Sequence, residues 1–247
     1  MTEIEALPQK IVNRKIVILK SRLDPTMVRL LGEKVKGKFF VRLGFLKPKP
    51  EEIQLISVDK FYEPYIIVGG KYAVDYYKRY VFVIRVNGKI REIVILGKKF
   101  KPEPFSGVIR LKGEGHFHYE DQAYFILDRM GREVMPEQLP YAPSEEQPEK
   151  LREISMKLRE VKISPEQEID FLRSKIVNRP SDVDEITKEW FEVNQRAIIY
   201  IPTYELTFQD VKTGKEAIVE IDGITGKMIR YRKGYLLTLK YLNAYPL

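Results

Sequence analysis

Four side chains with metal-binding chemistry alternate along a short stretch near the middle of the chain. They are Glu114, His116, His118 and Glu120, and the chain contains only these two histidines. Successive side chains of a β-strand point to opposite faces, so this spacing places all four on one face. Imidazole and carboxylate groups gathered there can hold zinc, iron or manganese. The alternative is a solvated polar face, because further ligands would be needed and no other motif indicates metal.

Tyrosines and basic residues are interleaved just before this stretch. Aromatic rings beside cations on a sheet are the chemistry with which single-strand binders hold bases and phosphates. Tyrosine is also an ordinary strand former and core filler, so a structural role stays open. The candidate nucleic-acid-binding residues are Lys60, Tyr65, Lys71, Tyr72, Tyr76, Lys78, Arg79 and Arg85.

Motifs that define common enzyme classes are missing from the sequence. It has no nucleophile-elbow serine, no dinucleotide fingerprint and no phosphate-binding loop. The absence of cysteine excludes disulfides, thiolate metal sites and a cysteine nucleophile. A general base would have to be one of the two histidines or a carboxylate. The sequence therefore favours a protein without catalysis or cofactor, with a metal-dependent enzyme at His116 and His118 as the remaining catalytic alternative.

The longest β-prone run, residues 60–96, organises the predicted fold. Gly69-Gly70 and Asn87-Gly88 lie between strand-forming segments, and both dipeptides are typical of tight hairpins. We therefore predict a four-stranded antiparallel meander. A weaker copy covers residues 196–230, with turns at residues 212–215 and at Asp222-Gly223.

Residues 50–96 and 180–230 can be laid over one another. If they descend from one unit, Asn87-Gly88 and Asp222-Gly223 should form equivalent turns with positive φ. Phe61 and Phe191 should then occupy equivalent core positions. The alternative is two unrelated meanders that share turn chemistry.

Three helices are predicted from capping signals and apolar spacing. Asp24-Pro25 starts a helix over residues 25–35, and Ser164, Pro165 and Gln167 start one over residues 165–177 with a capping box. Apolar residues at helical spacing predict another over residues 149–161. Further strands are expected at residues 14–20, 39–46, 51–61, 108–111 and 116–127, and residues 1–9 are expected to form a loose arm.

Composition and charge bound the class of protein. The chain has 247 residues and a net charge of +8, with 24 Lys and Arg against 12 Asp and Glu in residues 1–115. A basic N-terminal half suits a polyanionic partner. The alternative is a lysine-rich surface of the kind that hyperthermophile proteins carry, since Lys, Glu, Ile and Tyr are plentiful and Asn, Gln and Cys are scarce.

Targeting signals and linkers bear on location and domains. No apolar run reaches the ~18 residues that span a bilayer, and the acidic start does not resemble a signal peptide. We expect a cytoplasmic protein with no membrane partner. Prolines and acidic residues mark residues 136–148 as a linker between a basic β-rich domain with one helix, residues 1–135, and a helical pair with a β-meander, residues 149–247.

Two stretches resemble known proteins. Tyr204, Thr213-Gly214-Lys215, Ile221-Asp222 and Thr225-Gly226-Lys227 lie in residues 204–230, which resemble the β part of a PepSY-type domain. The resemblance implies a small α+β module for protein interaction or inhibition, without catalytic residues. Residues 62–77 are similar to uncharacterised archaeal proteins.

These observations together predict an α+β fold, mainly antiparallel sheets formed by two meanders with about three helices packed on them. The predicted function is a non-catalytic binding or scaffold protein that engages a protein partner. The first alternative is a nucleic-acid-binding protein that uses the basic, tyrosine-rich N-terminal half.

Overall fold

The computed structural model describes residues 9–40 and 48–234, and it confirms the α+β class and the antiparallel sheets. In chain order the elements are β1 Gln9–Ile11, β2 Lys15–Ile18, α1 Pro25–Val35, β3 Ile53–Arg85, β4 Ile93–Ile95, β5 Lys98–Phe100, β6 Val108–Asp128, β7 Glu133–Val134, α2 Pro148–Ser155, α3 Pro165–Ile176, β8 Glu185–Asp210, β9 Glu216–Asp222 and β10 Met228–Gly234. Short 3₁₀ turns occupy Lys36–Lys38, Pro50–Glu52 and Pro136–Gln138. No helix of these described ranges is long and apolar enough to cross a membrane.

One large sheet has the strand order β10-β9-β8-β3-β6-β7. The pairs β10–β9, β9–β8 and β6–β7 are antiparallel. β1 and β2 pair in parallel with β8, with Gln9 opposite Phe191 and Lys15 opposite Ala197. β4 and β5 form a separate antiparallel ribbon.

The hairpin predicted at Gly69-Gly70 is wrong, because β3 runs without interruption through both glycines. A Cβ on Gly70 would lie against the Glu192 carbonyl oxygen, well inside van der Waals contact, and 2.9 Å from Leu172 Cδ2. The glycine therefore permits a close approach of β3 to the backbone of β8 and to α3, which is the other common use of glycine within a strand.

The tight hairpin of this region lies at Leu96-Gly97. Both residues have positive φ, 48° and 76°, as a type I′ turn requires, and Ile95 pairs with Lys98 across it. Asn87-Gly88 forms a turn in which the Ile90 amide donates to the Asn87 carbonyl at 2.9 Å. Gly88 is not among the glycines with positive φ.

The equivalence predicted between Asn87-Gly88 and Asp222-Gly223 is also wrong. β9 and β10 pair with each other across Asp222, whereas β3 before Asn87 pairs with β8 and β6. Gly223 has no positive φ either. Phe191 is buried, but Phe61 is only half-buried, beneath the Arg159 guanidinium.

Two of the predicted helices match closely. α1 begins immediately after Asp24, whose carboxylate accepts a hydrogen bond from the Met27 amide at 2.9 Å. α3 begins behind the predicted capping box, in which Ser164 and Gln167 exchange backbone and side-chain hydrogen bonds. α2 ends at Ser155, earlier than predicted, because residues 157–159 bond to β3 through the Tyr62 amide and carbonyl.

The described chain divides into two compact units, each assembled from three segments. Of the described residues, the first unit comprises 9–12, 69–124 and 169–194. Its buried side chains come from β3, β6, α3 and β8, and they include Tyr72, Ile109, Leu172, Ile176 and Phe191. α3 therefore covers part of one face of this sheet.

The second unit comprises the described residues within 13–68, 125–168 and 195–234. Val28 of α1 packs with Ile53, Leu206, Phe208 and Val219 in its main core. Residues 136–148, the segment predicted as a linker, lie in this unit and pack on β2. There the Lys20 amide donates to the Pro143 carbonyl at 2.8 Å, and Ala142 is buried with Leu19.

Several predictions concern residues beyond the described part. The arm at residues 1–9 falls there except for Gln9, which begins β1. The strand predicted at residues 39–46 falls there except for its first two residues. Phe39 and Phe40 lie just after a 3₁₀ turn and are buried.

Candidate nucleic-acid interface

The structure distributes the predicted nucleic-acid-binding residues over both units. Lys60 and Tyr65 lie in the second unit, and the other six lie in the first. Alternate residues of β3 face opposite sides of the sheet. Contacts show that Lys71 and Asp75 share the side with the histidines of β6.

A polar network occupies the histidine side. The His118 Nδ1 atom lies 2.6 Å from Asp75 Oδ1, and its Nε2 atom lies 3.5 Å from Glu120 Oε2. Glu120 also pairs with Lys71 Nζ at 2.6 Å. The hydrogen bond to Asp75 raises the pKa of His118, and the bond from Lys71 lowers the pKa of Glu120. The charge of Lys71, one of the predicted nucleic-acid-binding residues, is thus already neutralised by Glu120.

Glu114, His116, His118 and Glu120 do lie on one exposed face of β6. His116 stacks on Tyr77 with ring centroids 4.6 Å apart, and His118 lies near Trp190. Within residues 9–40 and 48–234, no group of three or more histidine and acidic side chains is arranged to hold a metal ion. The contacts found on this face are the ion pairs of His118, Asp75, Glu120 and Lys71 and the stacking of His116 on Tyr77.

Tyr72 is fully buried. Its hydroxyl donates to Glu189 Oε1 at 2.7 Å, and Arg179 pairs with the same carboxylate. Burial and then the hydrogen bond to Glu189 raise the pKa of Tyr72. Its ring is not available for stacking with a base.

An aromatic row continues from Tyr72 along the same side of β3 into solvent. Tyr76 stacks on Phe117 at 5.4 Å, Tyr80 meets Phe117 edge-on at 5.7 Å, and Tyr80 meets Phe82 at 5.2 Å. We call Tyr76, Tyr80, Phe82 and Phe117 the aromatic row. Tyr80 is 49% exposed and Phe82 41% exposed, against 0% for Tyr72. Aromatic area open to solvent therefore increases toward the end of β3.

The net charge of the protein resides in one short segment of the first unit, residues 78–112. This basic segment contains ten Lys and Arg and two acidic residues, and the rest of the chain contains 33 of each sign. Four of its cations have carboxylate partners: Lys78, Arg79, Lys99 and Arg110. Within the described ranges, no carboxylate lies within ion-pair distance of Arg85, Lys89, Arg91, Lys98, Lys101 or Lys112.

Two concavities bring basic and aromatic residues of this segment together. One, of about 350 Å³, is lined by Arg79, Tyr80 and Lys112 among others. The other, of about 550 Å³, includes Arg91, Lys101 and Phe105. Phe105 is fully exposed and holds a left-handed backbone with φ 68°. Its ring therefore contributes aromatic surface to the rim of this concavity without packing in a core.

Sequence reasoning missed the part of this surface that follows Arg85. Tyrosines are densest in residues 60–85, so a prediction based on tyrosine and basic residues together ends there. A charge count over short windows would have identified residues 78–112, where ten Lys and Arg stand against two acidic residues. A count over the whole N-terminal half averages this local excess with less basic segments.

Three buried glutamates of the second unit, Glu63, Glu168 and Glu220, are held in ion pairs. Arg159 contacts Glu63, Glu205 and Glu220 at 3.1–3.2 Å, and its guanidinium stacks on Phe61. The fully buried Glu168 pairs with Arg14 and Arg196. Removal of one member of such a cluster leaves an uncompensated buried charge, so we expect substitution of a single member to destabilise the fold.

Comparisons of the chain with family models, curated proteins and solved structures find no match. The resemblance of residues 204–230 to a PepSY-type module therefore stays a prediction.

Proposed function

We propose that the protein is a non-catalytic binding protein that holds single-stranded nucleic acid on the aromatic row and the basic segment. The observation that carries this proposal is the coincidence of the whole net charge with exposed aromatic rings in residues 78–112. Cations attract phosphates, and ring faces stack with bases of any sequence. Base faces are accessible in single strands, which favours them over a duplex.

A salt titration of a fluorescently labelled single-stranded oligonucleotide tests the electrostatic part. Log affinity should fall with log salt concentration by ~0.7 per contacted phosphate, hence by about 4 if the six unpaired cations each contact one. Fluorescence anisotropy measures this slope. The absence of binding at low salt would overturn the proposal.

Ring substitutions test the stacking part of the same experiment. Tyr80→Leu and Phe82→Leu keep apolar bulk and remove the ring, so each should weaken binding by ~1–3 kcal/mol without changing the salt slope. Tyr124→Leu is the matched control, because Tyr124 is an exposed aromatic of the first unit outside the row. Equal affinities of all three variants would contradict stacking.

A protein partner is the second candidate. Val81, Val83, Val94 and Leu96 are exposed, and Leu96 is 99% exposed at the tip of the type I′ turn. Exposed aliphatic side chains favour a partner that buries them. Binding of that kind depends weakly on salt, so the slope of the titration separates the two candidates.

A further inference from the structure

A cavity of about 300 Å³ lies within the second unit. None of its lining residues belongs to the aromatic row or to the basic segment. Small-ligand sites in proteins begin at about this volume. β3 supplies Lys60 and Tyr62, the segment after β2 supplies Lys20 and Ser21, and α2 with its flanking residues supplies the rest. The further lining residues are Glu145, Lys150, Glu153, Ile154 and Lys157.

The charges that line this cavity do not balance. Four lysines face two glutamates, and one of these, Glu153, is engaged with Lys157 at 2.9 Å. Within the described ranges, no carboxylate lies within ion-pair distance of Lys60, Lys20 or Lys150. The lining therefore has an excess of two positive charges.

Lys60 lies on β3 and is less exposed than Lys150 and Lys157. It is half-buried, and its ammonium lies 5.5 Å from the ring centre of Tyr62 and 5.4 Å from that of Tyr204. Burial, and then the neighbouring Lys157, lower the pKa of Lys60. The two rings attract the ammonium, whereas burial and the neighbouring lysines disfavour its charge, and a bound anion would offset that cost.

We propose that this lysine pocket binds a small phosphate monoester through Lys60, with Lys20, Lys150 and Lys157 around it. A phosphate monoester carries close to two negative charges at pH 7, which matches the excess charge, and lysine binds phosphate as a point charge. Ile154 and Tyr62 offer apolar contact to the organic part of the ligand. The proposal is independent of the proposed function, because it uses residues outside the aromatic row and the basic segment.

Titration calorimetry of the full chain with glycerol 3-phosphate tests the proposal. Lys60→Met removes the charge and keeps the length of the side chain, and it should weaken binding about tenfold or more, as expected for loss of a charged hydrogen bond. Lys15→Met is the matched control, because Lys15 is an exposed lysine of the same unit. It should retain the wild-type affinity.

Dimethyl phosphate, a diester with one negative charge, should bind much more weakly than glycerol 3-phosphate. Equal affinity for the two compounds would overturn the proposal, as would unchanged binding to Lys60→Met. If that variant does not fold, amide shifts of the wild-type protein decide the question. Glycerol 3-phosphate should shift residues 20–21 and 60–62, and shifts confined to other regions would refute the site.

Discussion

His118 titrates between two carboxylates on the exposed face of β6. The hydrogen bond to Asp75 stabilises its protonated form, with a smaller contribution from Glu120, so its pKa lies above the ordinary histidine value of about 6.5. The raised pKa belongs to the folded state. Its contribution to stability is therefore fully present below about pH 6.5 and is lost as the pH rises through the folded-state value.

An NMR titration of the imidazole signals should show this behaviour. Asp75→Asn removes the charge of the partner, so the pKa of His118 should fall toward the ordinary value in that variant. Glu114→Gln, on the same face of the same strand, is the control and should leave the pKa of His118 unchanged. If Asp75→Asn leaves the titration of His118 unaltered, the hydrogen bond does not set its pKa.

Among the elements, the helices were predictable because their signals are local. The Asp24 cap and the Ser164–Gln167 capping box lie within three residues of the amides they bind. The end of α2 was not predictable, because it depends on hydrogen bonds between residues 157–159 and Tyr62, about 95 positions away. The hairpin prediction for β3 was wrong for the same reason. A glycine pair suits both a turn and a close approach of strands, and the contact with Glu192 that distinguishes them is distant in sequence.

Two related turns of the second unit show how much a local pattern can specify. In Asp210–Lys215 and Asp222–Lys227 the first aspartate accepts two backbone amides, and a glycine with positive φ stands at the fifth position. The shared pattern is Asp, two variable residues, then Thr-Gly-Lys. Turn chemistry of this kind requires no distant partner.

The glycines of β3 and of the following turn differ in what a side chain would meet, which gives a test of the corrected strand. Gly70→Ala should lower the free energy of unfolding by about 2 kcal/mol or more, because the new Cβ would press on the Glu192 carbonyl. Gly88→Ala should change it by less than about 1 kcal/mol, because nothing lies within 4 Å of its Cβ position and its φ is not positive. Urea unfolding of both variants measures the difference. Equal effects would favour a turn at Gly69-Gly70 after all.

At the scale of the whole molecule, composition predicted a basic surface suited to a polyanionic partner, but it did not predict which residues form that surface. Lys71 and Tyr72 have the residue types of a nucleic-acid site, yet Glu120 and Glu189 engage them from distant parts of the chain. Arg91 and Lys101, which sequence reasoning passed over, lie beside Phe105 in an open concavity. Residue type indicates which groups can bind, while the fold decides which remain unpaired.

Two variants of equal net charge can show whether oligonucleotide binding depends on where the positive charges lie or only on how many there are. One variant replaces four exposed cations of the basic segment with glutamine: Lys89, Arg91, Lys98 and Lys101. The control replaces four exposed lysines elsewhere: Lys15, Lys34, Lys215 and Lys227. Both sets lower the net charge from +8 by four, so long-range attraction falls equally in the two proteins.

Only the first variant should lose oligonucleotide affinity steeply. If four phosphate contacts disappear, the slope of log affinity against log salt should fall by about 3, at ~0.7 per contact. The control should keep the wild-type slope, because its lysines lie outside the surface. Both proteins should unfold at similar temperatures, since single exposed charges contribute little to stability. If the two variants lose affinity equally, the interaction follows net charge, and residues 78–112 are not the binding surface.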